Sequence, residues 1–169
     1  MLELLAPAGS PEGVVAAVQS GADAVYMGFG GFNARRNAKN FTEEDLRAAC
    51  EFCRVRGVKT YVTLNTLVTD REFTEAVDLG KRAQRAGADA ILVQDLGLMR
   101  ALKKALPEMS LHSSTQMSIH DIEGVQVSAA MGAERVVLAR ELPKSEIAAI
   151  CAKSPIEIEV FAHGALCMC

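Results

Sequence analysis

Arg35, Arg36 and Lys39 place three cations within five residues, close enough for two guanidinium forks and an ammonium to share one carboxylate or phosphate. They lie in the long connection between Phe29 and Thr42, and long loops often carry function, although a charged loop can also be simply solvated. Asn65, Gln94 with Asp95, and Ser114-Thr115-Gln116 each close a short apolar run. Amides and hydroxyls in that setting suit a polar small molecule or a nucleotide base. Arg140 is followed by Glu141; the pair could face a site together, or Glu141 could simply favour the start of the next helix. His163 follows the alternating stretch from Glu157 to Phe161, where an imidazole serves either as a hydrogen-bonding anchor or as a proton carrier.

The five cysteines divide by position. Cys50 and Cys53 form a Cys-x-x-Cys, yet both fall on the apolar stripe of a helical pattern, which favours buried, inert thiols over a redox or metal pair. Cys151 falls beside Ile147 and Ile150 on another such stripe. Cys167 and Cys169 follow the last apolar run, a half-motif that further cysteines would have to complete before it held a cluster. An odd count at uneven spacing is a reduced, cytoplasmic pattern rather than a disulfide framework. No Gly-x-Ser-x-Gly elbow, His-Glu-x-x-His helix or P-loop occurs, so hydrolysis by a standard mechanism finds no support.

The elements that must position these groups follow from a repeated phrase. Gly21-Ala-Asp23, Gly87-Ala-Asp89 and Gly132-Ala-Glu134 each precede an apolar run, and Gly57-Val-Lys59 is a looser copy. Glycine suits the left-handed residue that ends a helix, and the continuous apolar runs suit strands buried on both faces of a parallel sheet. Between them lie helical patterns: Pro11–Gln19 behind Ser10, a helix capped by Thr42, one opening at Asp70, then Leu96–Leu106, Asp121–Met131 and Pro143–Ala152. Seven strands are expected, near 3–8, 24–29, 59–65, 90–94, 110–115, 135–139 and 156–162. Strict alternation without a dinucleotide-binding glycine fingerprint predicts an α/β fold, an incomplete (β/α)8 TIM-type barrel of about seven parallel strands and six helices. The whole of 1–169 is expected to be a single N-terminal barrel domain, truncated before the eighth strand, with an unclosed edge between the first and seventh. Barrel active sites lie at strand C-terminal ends, where Asn65, Gln116, Arg140 and His163 all fall.

Half the residues are hydrophobic and 23% are charged, a globular balance that argues against intrinsic disorder. The net charge of -3 gives no general basic field, so any nucleic-acid contact would have to come from a local cluster. No run is long and apolar enough to span a membrane, and the N-terminus lacks the basic start of a signal peptide. A cytoplasmic location is expected.

Glu3-Leu-Leu-Ala-Pro-Ala-Gly9, Gly21–Tyr26, Asn40-Phe-Thr42, Asn65, Gln94-Asp-Leu-Gly97, Ser114-Thr-Gln116, Arg135–Glu141 and Glu159–Cys167 occur in one order. In this the chain resembles the collagenase-like peptidase family of unknown catalytic type. The resemblance implies a barrel-type N-terminal domain. Members carry a peptidase label, while others resemble hydroxylation proteins that act on a tRNA wobble uridine, a ribosomal RNA cytidine or the ubiquinone ring without molecular oxygen. Prephenate is the implied oxygen source, and an iron–sulfur cluster on four cysteines the implied cofactor. The first of those cysteines matches Cys167; the Ser-Gly-x-Cys segment that follows in the family is absent. This chain alone is therefore expected to bind no cluster and to be inactive.

On this reading Arg35, Arg36 and Lys39 hold a small carboxylate donor, and Asn65, Gln116 and Arg140 orient an RNA base, with His163 at the rim. A peptidase is the alternative; a scaffold that binds RNA or a partner protein is a second. Homo- or hetero-oligomers are expected to form through the open barrel edge.

Overall fold

A computed structural model describes residues 2–34 and 40–164. Strands and helices alternate in the order β1 (Leu5–Pro7), α1 (Pro11–Gln19), β2 (Ala24–Gly28), α2 (Glu43–Arg54), β3 (Lys59–Leu64), α3 (Phe73–Ala86), β4 (Ala90–Val93), α4 (Leu96–Ala105), β5 (Ser110–Ser113), α5 (Ile122–Ala130), β6 (Arg135–Val137), α6 (Lys144–Lys153) and β7 (Glu157–Glu159). A single 3₁₀ turn, Thr115–Met117, follows β5. The seven strands form one sheet in chain order, every neighbouring pair parallel. The expected incomplete α/β barrel is the observed architecture.

The repeated phrase has a physical basis that goes beyond its glycines. Gly87 adopts the left-handed conformation (φ 99°) that caps α3, its N–H donating to Ala83 and Gln84; Gly21, Gly57 and Gly132 share the positive φ. The acidic residue two places on then fastens the preceding strand. Asp23 accepts from the Leu4 N–H at 2.8 Å, Asp89 from the Thr60 N–H at 2.7 Å and the Thr60 hydroxyl at 3.0 Å, and Glu134 from the Ser110 hydroxyl at 2.8 Å. Asp89→Ala strands a buried backbone donor and a buried hydroxyl, so an increase in unfolding susceptibility of about 1–3 kcal/mol is expected from urea denaturation.

Successive residues of each strand point to opposite faces, and the two faces differ in chemistry. Toward the helices, Val25, Met27, Val62, Leu64, Ile91, Val93 and Leu111 pack against Val14, Leu46, Cys50, Cys53, Leu98 and Leu102. Val136 and Leu138 continue that layer against Val125 and Ile150. Toward the lumen, Ala24, Tyr61, Ala90, Leu92 and Val137 form a smaller cluster with Leu5 and Tyr26. Arg135 on β6 shows that the sheet curls: its guanidinium crosses the lumen to Glu3, ahead of β1, at 2.6 Å and lies 3.5 Å from the Tyr61 hydroxyl on β3.

Two expectations need correction. Strand pairing is shorter than the apolar runs: 3–8 narrows to Leu5–Pro7, 135–139 to Arg135–Val137 and 156–162 to Glu157–Glu159. The third helix starts at Phe73, not Asp70, since the Glu72 carboxylate turns back to accept from the Thr69 N–H (3.0 Å) and hydroxyl (2.6 Å) and holds those residues in a turn.

Candidate functional site

The C-terminal ends of β2 to β5 are tied together by amides. Asn65, one residue past β3 and buried, uses its whole side chain: Oδ1 accepts from the Ala34 N–H at 3.1 Å, and Nδ2 donates to Gln116 Oε1 at 3.0 Å and Ser114 Oγ at 3.3 Å. The Ser114 hydroxyl also donates to Gln116 Oε1. Gln94 Nε2 donates to the Gln116 carbonyl at 3.3 Å. The β2–α2 loop is closed at its root, where Asn33 Nδ2 donates to Asn40 Oδ1 at 2.9 Å and to the Gly30 carbonyl at 2.8 Å, and Phe29 bridges Phe41. A Cβ on Gly28 would lie 2.8 Å from Asn40 Oδ1 and 3.1 Å from Asn33 Oδ1, so any side chain there would have to displace the clasp.

A second group gathers at β6 and β7. Arg140, half-buried in the β6–α6 loop, stacks its guanidinium 3.7 Å from the centroid of Phe161. Two clefts flank that loop. One, of about 320 Å³, is lined by Thr115, Ser118, His120, Arg140 and Glu141; the other, of about 260 Å³, by Arg140, Phe161, His163 and Gly164 among others. Thr115 joins the two groups: it precedes Gln116 and lines the first cleft, and its hydroxyl donates to the Leu138 carbonyl at 3.4 Å. Asn65 and Gln116 thus come together, Arg140 and His163 come together, and His163 is exposed. Arg35, Arg36, Lys39 and Cys167 lie outside the described residues.

Phe161 and the lumen charges are the residues that spacing had not singled out. Glu157, Glu159, Phe161 and His163 recur every second residue, and the first two meet Arg135, so the alternation itself was the available signal.

The lumen floor holds one buried cation among three carboxylates, and the more exposed Lys59 reaches Glu3 at 3.3 Å. Arg135 is 8% exposed and lies 2.6 Å from Glu3, 2.8 Å from Glu157 and 3.5 Å from Glu159. Burial opposes the ionisation of Glu3, but hydrogen bonds from Arg135 and Tyr61 and the guanidinium charge outweigh it and take Glu3 down to about 2. For Glu159 burial wins, and its carboxyl titrates above the usual range despite Arg135. Burial, then the Arg135 charge, pushes His112 down to about 3, so the imidazole is neutral; it meets the Tyr61 ring edge-on at 4.9 Å, and among the described residues its Nδ1 has no partner.

The described thiols do not fit a four-thiolate cluster. Cys50 and Cys53 lie under α2 on the helix side of the sheet, with the Thr60 hydroxyl 3.4 Å from Cys50 Sγ. Burial raises both, Cys53 to about 11, with Cys50 beside it adding to the effect. Cys151 is exposed on α6, and among the described residues no three metal-ligating side chains converge. Mass-mapped alkylation of the native chain is expected to label Cys151 well before Cys50 and Cys53; equal labelling would show the α2 thiols to be accessible. Among the described residues no helix is long and apolar enough to cross a membrane.

Comparison with known proteins adds three kinds of finding. The profile described as Peptidase family U32 matches residues 9–169. Among curated relatives, the chain is 40% identical to a collagenase of Porphyromonas gingivalis (98% of this chain, 42% of the relative) and 41% identical to the 23S rRNA 5-hydroxycytidine C2501 synthase of Escherichia coli (99% and 25%). It is 39% identical to tRNA hydroxylation protein P1 of Bacillus subtilis (98% and 39%), so the chain spans well under half the length of each of these relatives. Among solved structures, the U32 peptidase Mk0906 superposes with a TM-score of 0.76 at 13% identity, covering 95% of this chain and 68% of that one. Phosphoenolpyruvate phosphomutase from Streptomyces platensis subsp. rosaceus gives 0.67 at 16% identity, covering 95% and 68%. At such identities these two likenesses speak for the fold alone.

Proposed function

The chain belongs to peptidase family U32, and on that premise we propose that it is the barrel portion of a protein that hydroxylates an RNA base. The observation that carries this reading is the mouth itself, where an amide network (Asn65, Gln94, Gln116) adjoins an arginine stacked on an aromatic ring. Such groups read the edges and faces of a base. The Ser113 and Ser114 hydroxyls bond Ser128 and Gln116 rather than a histidine or carboxylate, so the mouth presents no activated nucleophile there. The names of the Escherichia coli and Bacillus subtilis relatives point the same way.

Asn65 and Gln116 orient the mouth, Arg140 holds the base, and His163 beside it carries a proton at the rim. Arg35, Arg36 and Lys39 grip a carboxylate-bearing donor of the prephenate type. The described thiols supply no cluster site; Cys167 is the single ligand position the family resemblance offers. The protein works in the cytoplasm, and the exposed edges of β1 and β7 join it to a further strand or another subunit.

The test is nucleoside mass spectrometry of tRNA and ribosomal RNA from cells deleted for the gene. Hydroxylated uridine or cytidine is expected to disappear, to return with the wild-type gene, and not to return with Arg35→Ala/Arg36→Ala/Arg140→Ala. Full restoration by the triple variant would mark a scaffold. The collagenase name of a 40% identical relative favours peptidase activity as the second reading. Cleavage of a quenched collagen peptide with RNA nucleosides unchanged would establish it.

A further inference from the structure

Phe161 keeps 39% of its surface exposed, although it is a large apolar ring whose neighbour, Arg140, sets its guanidinium carbon over the ring at 3.7 Å. The guanidinium also passes close to Gly164, where a Cβ would stand 3.3 Å from Arg140 Nη2. The cleft beside the stack, lined by Ala139, Leu142 and His163 as well, measures about 260 Å³. That is just below the usual range for sites that enclose drug-sized ligands, and suits one flat ring better than a peptide segment. An aromatic face stiffened by a guanidinium plane is the surface on which proteins stack unpaired bases, and it is sequence-tolerant because every base offers a π face.

We infer that the Arg140–Phe161 stack is a platform for one unpaired nucleobase of single-stranded RNA, with Phe161 as a binding residue in its own right. This rests on the RNA reading above and names the residue that would contact the base. Phe161 contributes stacking and no charge, so its removal acts on base recognition and leaves the phosphate grip unchanged.

The chain contains no tryptophan, so Phe161→Trp introduces a single indole reporter. A short oligouridylate is expected to quench its emission on binding, and a base-free ribose-phosphate oligomer of equal length is not. Phe161→Leu is expected to weaken oligouridylate binding at least about fivefold, while Phe161→Tyr retains wild-type affinity. The slope of log affinity against log salt should be the same for wild type and Phe161→Leu, because phosphate contacts are untouched. Equal affinity of Phe161→Leu and wild type, or equal quenching by the base-free oligomer, would overturn the platform and leave the RNA reading standing. If wild type binds neither oligomer, the RNA reading fails and the platform with it. Thermal melts of each variant separate these outcomes from loss of fold.

Discussion

Arg135→Ala is expected to destabilise the chain by about 3–5 kcal/mol, since it leaves buried carboxylates without their cation. Glu3 and Glu159 keep only 22% and 18% of their side-chain surface exposed, and the one other described cation at Glu3, Lys59 at 3.3 Å, is itself more than half exposed and does not reach Glu159. For a chain of this size each kcal/mol moves the melting temperature by roughly 2–4 °C, so a drop on the order of 10 °C is expected by calorimetry. Lysine cannot substitute, because a single ammonium does not reproduce a fork that reaches three carboxylates at once. A melt of Arg135→Ala within a degree or two of wild type would show that the floor is solvated.

The pH dependence of this cluster has opposite signs at its two buried carboxylates. Glu3 sits at about 2 in the fold against an ordinary 4.5, so its contribution is complete above 4.5 and lost as pH falls toward 2. Glu159 is raised, so the fold favours its protonated form, and that contribution is lost as pH rises through its folded value. Glu3→Gln should therefore lower the urea midpoint at pH 7 and flatten the acid limb. Glu159→Gln should leave the midpoint at pH 7 unchanged or raise it.

The second large effect is on activity. Asn65→Ala removes one acceptor and one donor group that between them hold the β2–α2 loop, Ser114 and Gln116. Misplacement of positioning groups by about 1 Å costs on the order of a hundredfold in rate, and that is the loss expected in RNA hydroxylation when Asn65→Ala replaces wild type in the deletion strain. Stability should fall by only about 1–3 kcal/mol. Wild-type levels of the hydroxylated nucleoside would show that the network does not orient the reaction.

Much of this was legible in the sequence. The glycine phrase and the apolar runs after it announced a parallel sheet, and Ser10, Thr42 and Asp121 announced helix starts at which each does cap through its side-chain oxygen. Asn65 and Gln116 were found because they follow strands, a local signal. The lumen floor was not, because Glu3, Tyr61, Arg135 and Glu159 are far apart in the chain and converge only when the sheet curls. Phe161 looked like ordinary strand apolarity; only the approach of Arg140 from the neighbouring unit distinguishes it. Helix α3 was begun too early because Thr69 and Glu72 satisfy each other in a turn, a choice that composition alone does not reveal.

The acidic fasteners recur on alternate strands only. Asp23 binds β2 to the approach of β1, Asp89 joins β4 to β3, and Glu134 joins β6 to β5. At the start of β3 the corresponding partner is instead Lys59, which reaches Glu3. Each acidic stitch therefore falls within one strand pair, while β2–β3 and β4–β5 are joined through their own backbone ladders. Loss of one stitch should accordingly loosen a single strand pair and leave the register of the others to their ladders.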